Sequence, residues 1–154
     1  METLIWSAAI KGRLAIETGG PRAKSRLGQD AWDLVHRALA IDPNNPFAHD
    51  ILGKLNQEVR KLGRVERFLA RTFLGNDLIR LSTWEGSERH LKIARERDPA
   101  VVLFFLDLGE TYLSQDKIEL ARETFEAGLK LPNRFPPDAR FKERMQQILE
   151  QMTS

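Results

Sequence analysis

The chain contains no cysteine, which excludes disulfides, thiolate metal sites and a cysteine nucleophile. No apolar run approaches the roughly 18 residues that a bilayer span requires. The opening Met1-Glu2-Thr3-Leu4-Ile5-Trp6 carries an early acid and no basic stretch, which is not a signal peptide. Neither sign of charge dominates: 24 basic against 22 acidic residues leave a formal +2, so there is no bulk electrostatic case for nucleic acid. Glycine-rich phosphate loops and nucleophile elbows are missing as well. The histidines His36, His49 and His90 show no i,i+4 pairing, so isolated helix-face histidines are expected over a pair brought together by the fold, with no metal and no cofactor. Nothing in the sequence argues for an enzyme. What is plentiful is the mixture of a globular protein: 42% hydrophobic and 30% charged residues over 154 positions, enough for one domain with a buried core.

A repeat organises those residues. Ala31-x3-Val35-x2-Ala38, Ser87-x3-Leu91-x2-Ala94 and Ala121-x3-Phe125-x2-Gly128 share a small–large–small pattern, each followed by a proline at Pro43, Pro99 or Pro132. The small residues let neighbouring helices approach, and the large one fills the space between them. Phe105-x2-Leu108-Gly109-x2-Tyr112 follows the W-x2-L-G-x2-Y pattern of tetratricopeptide (TPR) repeats, and His49-x2-Leu52-Gly53 keeps its Leu-Gly. Gly109 to Ala121 has the spacing of an unbroken repeat, whereas Gly53 to Ser87 is about 22 residues too long. The expected fold is all-α: a TPR-like solenoid of antiparallel helix pairs, forming a single domain over 1–154. Repeat 1 is about 2–43, repeat 2 about 44–98 with an inserted helical block at about 60–83, and repeat 3 about 99–132. A capping helix at about 137–152 carries the stripe Phe141, Met145, Ile148, Leu149 and Met152. Asn45-Pro46 and Asp98-Pro99 both read as an N-cap followed by a first-turn proline.

The block order resembles the regulator of microtubule dynamics protein family over nearly the whole chain. The resemblance rests on Trp6-Ser7-Ala8, His36-Arg37-Ala38-Leu39-Ala40-Ile41-Asp42-Pro43, His49-Asp50-Ile51-Leu52-Gly53 and Leu81-Ser82-Thr83-Trp84-Glu85. It continues through Asp98-Pro99, Leu108-Gly109-Glu110-Thr111-Tyr112-Leu113 and Leu129-Lys130-Leu131-Pro132. It implies a TPR-like fold and association with microtubules, or with organelle membranes and their lipids. Lys54-Leu55-Asn56 stands where the family often has aromatics, and Gly75-Asn76-Asp77 replaces its proline-containing loop, departures that suit a distant bacterial relative. Leu4, Ile5, Trp6, Ala9, Ile10 and Leu14 make the first helix apolar on more than one side. A solenoid end normally turns a polar face outward, so either a helix precedes this one or its edge is a homo-oligomer contact.

Two surfaces are candidates for function. Repeat positions place Phe47, Asp50, Lys54 and Gln57, with Leu103, Leu106, Glu110 and Leu113, on the concave groove shared by the first helices of the repeats. The lysine and asparagine of the carboxylate clamp used by chaperone-binding TPR proteins are absent: Asp50 and Lys54, then Leu106 and Glu110, occupy those slots. Within the insertion, Arg60, Arg64, Arg67 and Arg71 fall on one basic stripe beside Val65, Phe68, Leu69, Phe73 and Leu74, which are expected to dock and leave the arginines solvated. The function expected is a non-catalytic module holding a peptide or helix of a partner protein in its groove. The alternative is a lipid- or membrane-surface-binding domain that uses the apolar groove and the basic inserted helix.

Overall fold

A computed structural model describes residues 1–73 and 75–153, all but the Phe73 side chain. The described residues form helices and no strands: α1 (Glu2–Glu17), α2 (Pro21–Ile41), α3 (Pro46–Lys61), α4 (Arg64–Phe73), α5 (Asp77–Leu81), α6 (Trp84–Arg97), α7 (Val102–Leu113), α8 (Ile118–Leu129) and α9 (Asp138–Thr153).

Local chemistry sets most of the boundaries. Asn45 caps α3 by accepting a hydrogen bond from the Ala48 amide at 3.1 Å, with Pro46 in the first turn where its missing N–H costs nothing. Thr83 caps α6 in the same way through the Gly86 amide, and Asn76 caps α5 through Ile79. Gly20, at φ +92°, reverses the chain between α1 and α2 in a conformation that favours glycine. Asp98-Pro99 departs from expectation: α7 begins at Val102, not Pro99. The Asp98 carboxylate accepts from Ala100 N at 3.3 Å and is gripped by Arg134, which holds Pro99 and Ala100 as a turn instead of a first helical turn.

The tertiary contacts group the helices in pairs, α1 on α2, α3 on α6 and α7 on α8. Direction follows from which residues meet. His49 meets His90 and Gly53 meets Leu91 and Ser87, while Asn56 meets Gly86 and Thr83, so α3 and α6 run antiparallel. Gly109 lies against Phe125 and Gly128 against Phe105, which makes α7 and α8 antiparallel as well. The three small–large–small patterns are all inside: Ala31, Val35, Ala38, Leu91, Ala94, Ala121 and Phe125 are fully buried. One core cluster joins α1, α2, α3 and α5 around Val35 and Leu52, and a second joins α6 to α9 around Phe125 and Met145. The outward side of α9 is polar, while Met145 and Ile148 are buried.

Two helices, α4 and α5, lie between α3 and α6 where one was expected. α5 is tied to α2 by Asn76 Nδ2 donating to Ser25 Oγ at 2.7 Å and Leu78 N donating to Gln29 Oε1 at 3.0 Å. Asn56, at the position where an aromatic was missing, accepts from Thr83 N at 3.0 Å and so fixes the return of the chain into α6. α4 packs chiefly on α5, and Val65 and Phe68 are 71% and 68% exposed. Their docking was expected and does not occur; Leu69, on the same stripe, is 46% exposed as well. Phe73 and Leu74, expected on the same stripe, lie outside the described side chains. On α1, Ala8, Gly12 and Ala15 are buried, whereas Trp6, Ile10, Leu14 and Ile16 are exposed.

The crossing at Gly109 yields the first prediction. A Cβ there would sit 2.2 Å from the Phe125 ring, which is itself fully buried and has no space to move into. Gly109→Ala should destabilise the domain by about 2–3 kcal/mol through overpacking. Gly19→Ala, with nothing within 4 Å, should leave the melting temperature nearly unchanged. Equal melting temperatures for the two variants would refute this packing.

Candidate functional site

The pairing leaves α1, α3 and α7 side by side along one groove of about 920 Å³. Gly12 and Ile16 of α1 form one wall, and Ile51, Leu55 and Val59 of α3 form the base. Leu103 and Leu106 of α7, with Phe141 of α9, form the other wall. Leu78 and Ile79 of α5, with Glu66 and Ala70 of α4, close the end nearest the insertion. Most of the surface that the groove exposes is apolar, although charged side chains also line it, so a bound chain would gain by burying its own apolar side chains there.

Of the groove residues read from the sequence, Asp50, Lys54, Leu103, Leu106 and Glu110 line this space. Three do not. Phe47 packs edge-on against Phe104 and Phe135, at 5.3 and 6.4 Å between ring centres. Gln57 is fully buried, and its amide makes no hydrogen bond to the described residues. Leu113 packs into the second core cluster. Repeat position gives the correct helix for each of these, but the rotation and tilt of the helix decide which face of it reaches the groove.

The groove floor holds a charge cluster. Lys54 Nζ lies 2.6 Å from Asp107 Oδ1 and 3.0 Å from Glu110 Oε2, joining α3 to α7. Burial works against the Lys54 charge, but the two carboxylates outweigh it and raise its proton affinity. Burial also acts against Glu110, yet Lys54, Lys61 and Arg144 together hold its carboxyl below the usual range. Asp107 is pushed upward by burial, which Lys54 only partly offsets. Asp50 is different in kind. It is 5% exposed, and its Oδ1 accepts no hydrogen bond from the described residues. Burial first, and the Asp107 charge second, hold its carboxyl well above the ordinary carboxylate range, with Lys54 pulling the other way. Asp107 was missed from the sequence; the available signal was an acid embedded in the apolar run Val102-Leu103-Phe104-Phe105-Leu106-Asp107-Leu108.

The histidines also differ from expectation. His49 and His90 face each other with Nδ1 atoms 2.8 Å apart and rings stacked. His49 Nε2 lies 2.9 Å from the Pro43 carbonyl, which can only accept. That fixes His49 Nε2–H as donor, so His49 Nδ1 accepts from His90 Nδ1–H when both rings are neutral. Burial, with the charges of His49, Arg89 and His36, lowers His90 to about 4. The pair locks α3 to α6. Among the described residues, no cluster of three or more His, Asp or Glu side chains is placed to hold a metal ion.

The basic stripe is only partly a stripe. Arg64 and Arg71 are exposed, but Arg67 turns back to donate to the carbonyls of Arg60 and Leu62 at 3.3 and 3.2 Å. Arg60 Nε is buried and has no hydrogen-bond partner among the described residues. Gly63 breaks the helix between α3 and α4, and Arg67 then serves the orphan carbonyls at the end of α3.

Asp50 gives a pH-dependent prediction. A carboxyl raised in the folded state favours folding while protonated, and that contribution is lost as pH climbs through its folded pKa. Asp50→Asn removes this titration. Its melting temperature relative to the unmodified protein should therefore improve as pH rises from about 5 to 8. A difference that stays constant with pH would overturn the assignment.

No helix among the described residues is long and apolar enough to cross a membrane. Regulator of microtubule dynamics protein 3 from Bos taurus is 28% identical over 148 residues, covering 93% of this chain. The chain spans only 30% of that relative's length. The family model for regulator of microtubule dynamics protein 1-3 matches residues 1–153, and the chain belongs to that family.

Proposed function

We propose that this chain is a TPR-type interaction domain that holds a helix or extended peptide of a partner protein in the groove between α1, α3 and α7. The observation that carries the reading is the groove itself: a largely apolar trough of about 920 Å³ that runs along α1, α3 and α7 and is completed by residues of α2, α4, α5 and α9. The antiparallel pairs with glycine crossings at Gly53 and Gly109 support the repeat assignment, with α4 and α5 as the block inserted in the middle repeat. Repeats at about 2–43, 44–98 and 99–132 with a capping α9 agree with that pairing. The relatives are named as regulators of microtubule dynamics, a role that points to protein partners and to work done without catalysis.

A second reading is favoured by one observation, the exposed face of α4. Val65 and Phe68 stand out beside Arg64 and Arg71, which is the make-up of an element that rests on an anionic lipid surface. The exposed Trp6 and Ile10 of α1 similarly favour self-association through that edge.

Two experiments separate the leading readings. Ile16→Asp and Leu103→Asp place a carboxylate on opposite walls of the groove at residues that are not fully buried. Each should weaken binding of amphipathic helical peptides at least about tenfold while thermal melts remain cooperative. Phe47→Ala, outside the groove, should not. Undiminished binding in the wall variants would refute the groove. For α4, co-sedimentation with phosphatidylserine vesicles should fall with added salt and with Arg64→Glu plus Arg71→Glu. Protein that stays in the supernatant at low salt rejects the surface reading.

A further inference from the structure

The groove's charge is unevenly served. The carboxyls of Asp50, Asp107 and Glu110 gather in the groove about the Lys54 ammonium, with Lys61 and Arg144 acting on Glu110 from the side. Glu110 has Lys54 at 3.0 Å on one oxygen and Arg144 at 3.5 Å on the other. Asp107 has Lys54 at 2.6 Å. Asp50, on the same face of α3 one turn before Lys54, has no hydrogen-bond donor on its buried Oδ1. A buried acceptor left without a donor is costly, and an ionised one more so. The walls beside it are aliphatic.

We infer that the occupant of the groove is an apolar helix or extended segment carrying one basic side chain, whose cation is received between the Asp50 and Asp107 carboxylates. This rests on the groove reading given above and specifies its ligand. Charge decides the class. An occupant bringing a phosphate, a free carboxylate or an acidic side chain between Asp50 and Asp107 would meet two acids whose nearest cation, Lys54, is already bound to Asp107 and Glu110. An ammonium or guanidinium supplies the donor that Asp50 lacks, while the apolar remainder packs on the aliphatic residues beside it. Lys54 and Lys61 from α3 and Arg144 from α9 are the cations facing this acid cluster, and all three act on Glu110. Lys61 also acts on Asp107, and the cation acting on Asp50 is Lys54. Receiving a cation also draws a proton off Asp50, so binding should tighten as pH rises.

The test uses the full chain and three capped peptides. Each has leucines at helical spacing and one central position occupied by lysine, by norleucine or by glutamate. Isothermal titration should rank lysine above norleucine above glutamate, with about tenfold between lysine and norleucine. In Asp50→Asn, checked for folding by thermal melt, the lysine and norleucine peptides should bind within about twofold of each other, both still measurably. Equal binding of lysine and norleucine peptides to the unmodified protein overturns the inference and leaves the groove reading standing. A lysine preference that survives Asp50→Asn also overturns it. Failure of all three peptides to bind overturns the groove reading, and this inference with it.

Discussion

The close approach of paired helices over a glycine is the constraint on which the rest depends. Gly53 lets Leu91 lie against the α3 backbone, and Gly109 does the same for Phe125 against α7. A methyl group at either position would enter the space of a fully buried side chain. Because the pairs are fixed this tightly, the order and separation of α1, α3 and α7 are fixed as well, and the groove follows from them. Polar groups reinforce the α3–α6 crossing. Ser87 Oγ donates to the Gly53 carbonyl at 2.9 Å, and His49 and His90 join across the same interface.

The groove's charges follow from the same geometry and work partly against stability. Lys54 reaches two acids on α7, and its pairing ties the two helices together at the floor. Asp50 contributes no such tie. A buried carboxyl without a donor costs folding free energy whenever it is ionised. The insertion contributes to this surface without disturbing the pairs: α5 docks on α2 through Asn76 and Leu78, and α4 borders the groove with Glu66 and Ala70.

Much of the helical layout was legible. The small–large–small patterns gave the buried faces of α2, α6 and α8, and Asn45-Pro46 gave the start of α3. Asp98-Pro99 resembles that cap in sequence but not in structure, because Arg134, brought in from a distant loop, engages the Asp98 carboxylate. α5 escaped notice because five residues carry too little periodicity to stand out. For the groove, five of the eight residues named from the repeat pattern line it, while Phe47, Gln57 and Leu113 do not. Asp107 was hidden in an apolar run whose period says buried and says nothing of a partner on α3.

The sequence by itself determined the all-helical class, the pairing logic and the family, because these rest on small and large residues recurring at helical spacing and on blocks in a fixed order. Such information is local and periodic, and it survives substitution. The tertiary structure alone decided which charges meet: Lys54 with Asp107 and Glu110, 53 and 56 residues away, and His49 with His90, 41 away. It also decided that Val65 and Phe68 face outward and that Asp50 lies buried without a donor. Those outcomes depend on the rotation and offset of one helix against another. A change of a few tens of degrees moves a side chain from the core to the groove, and no spacing along the chain records that angle.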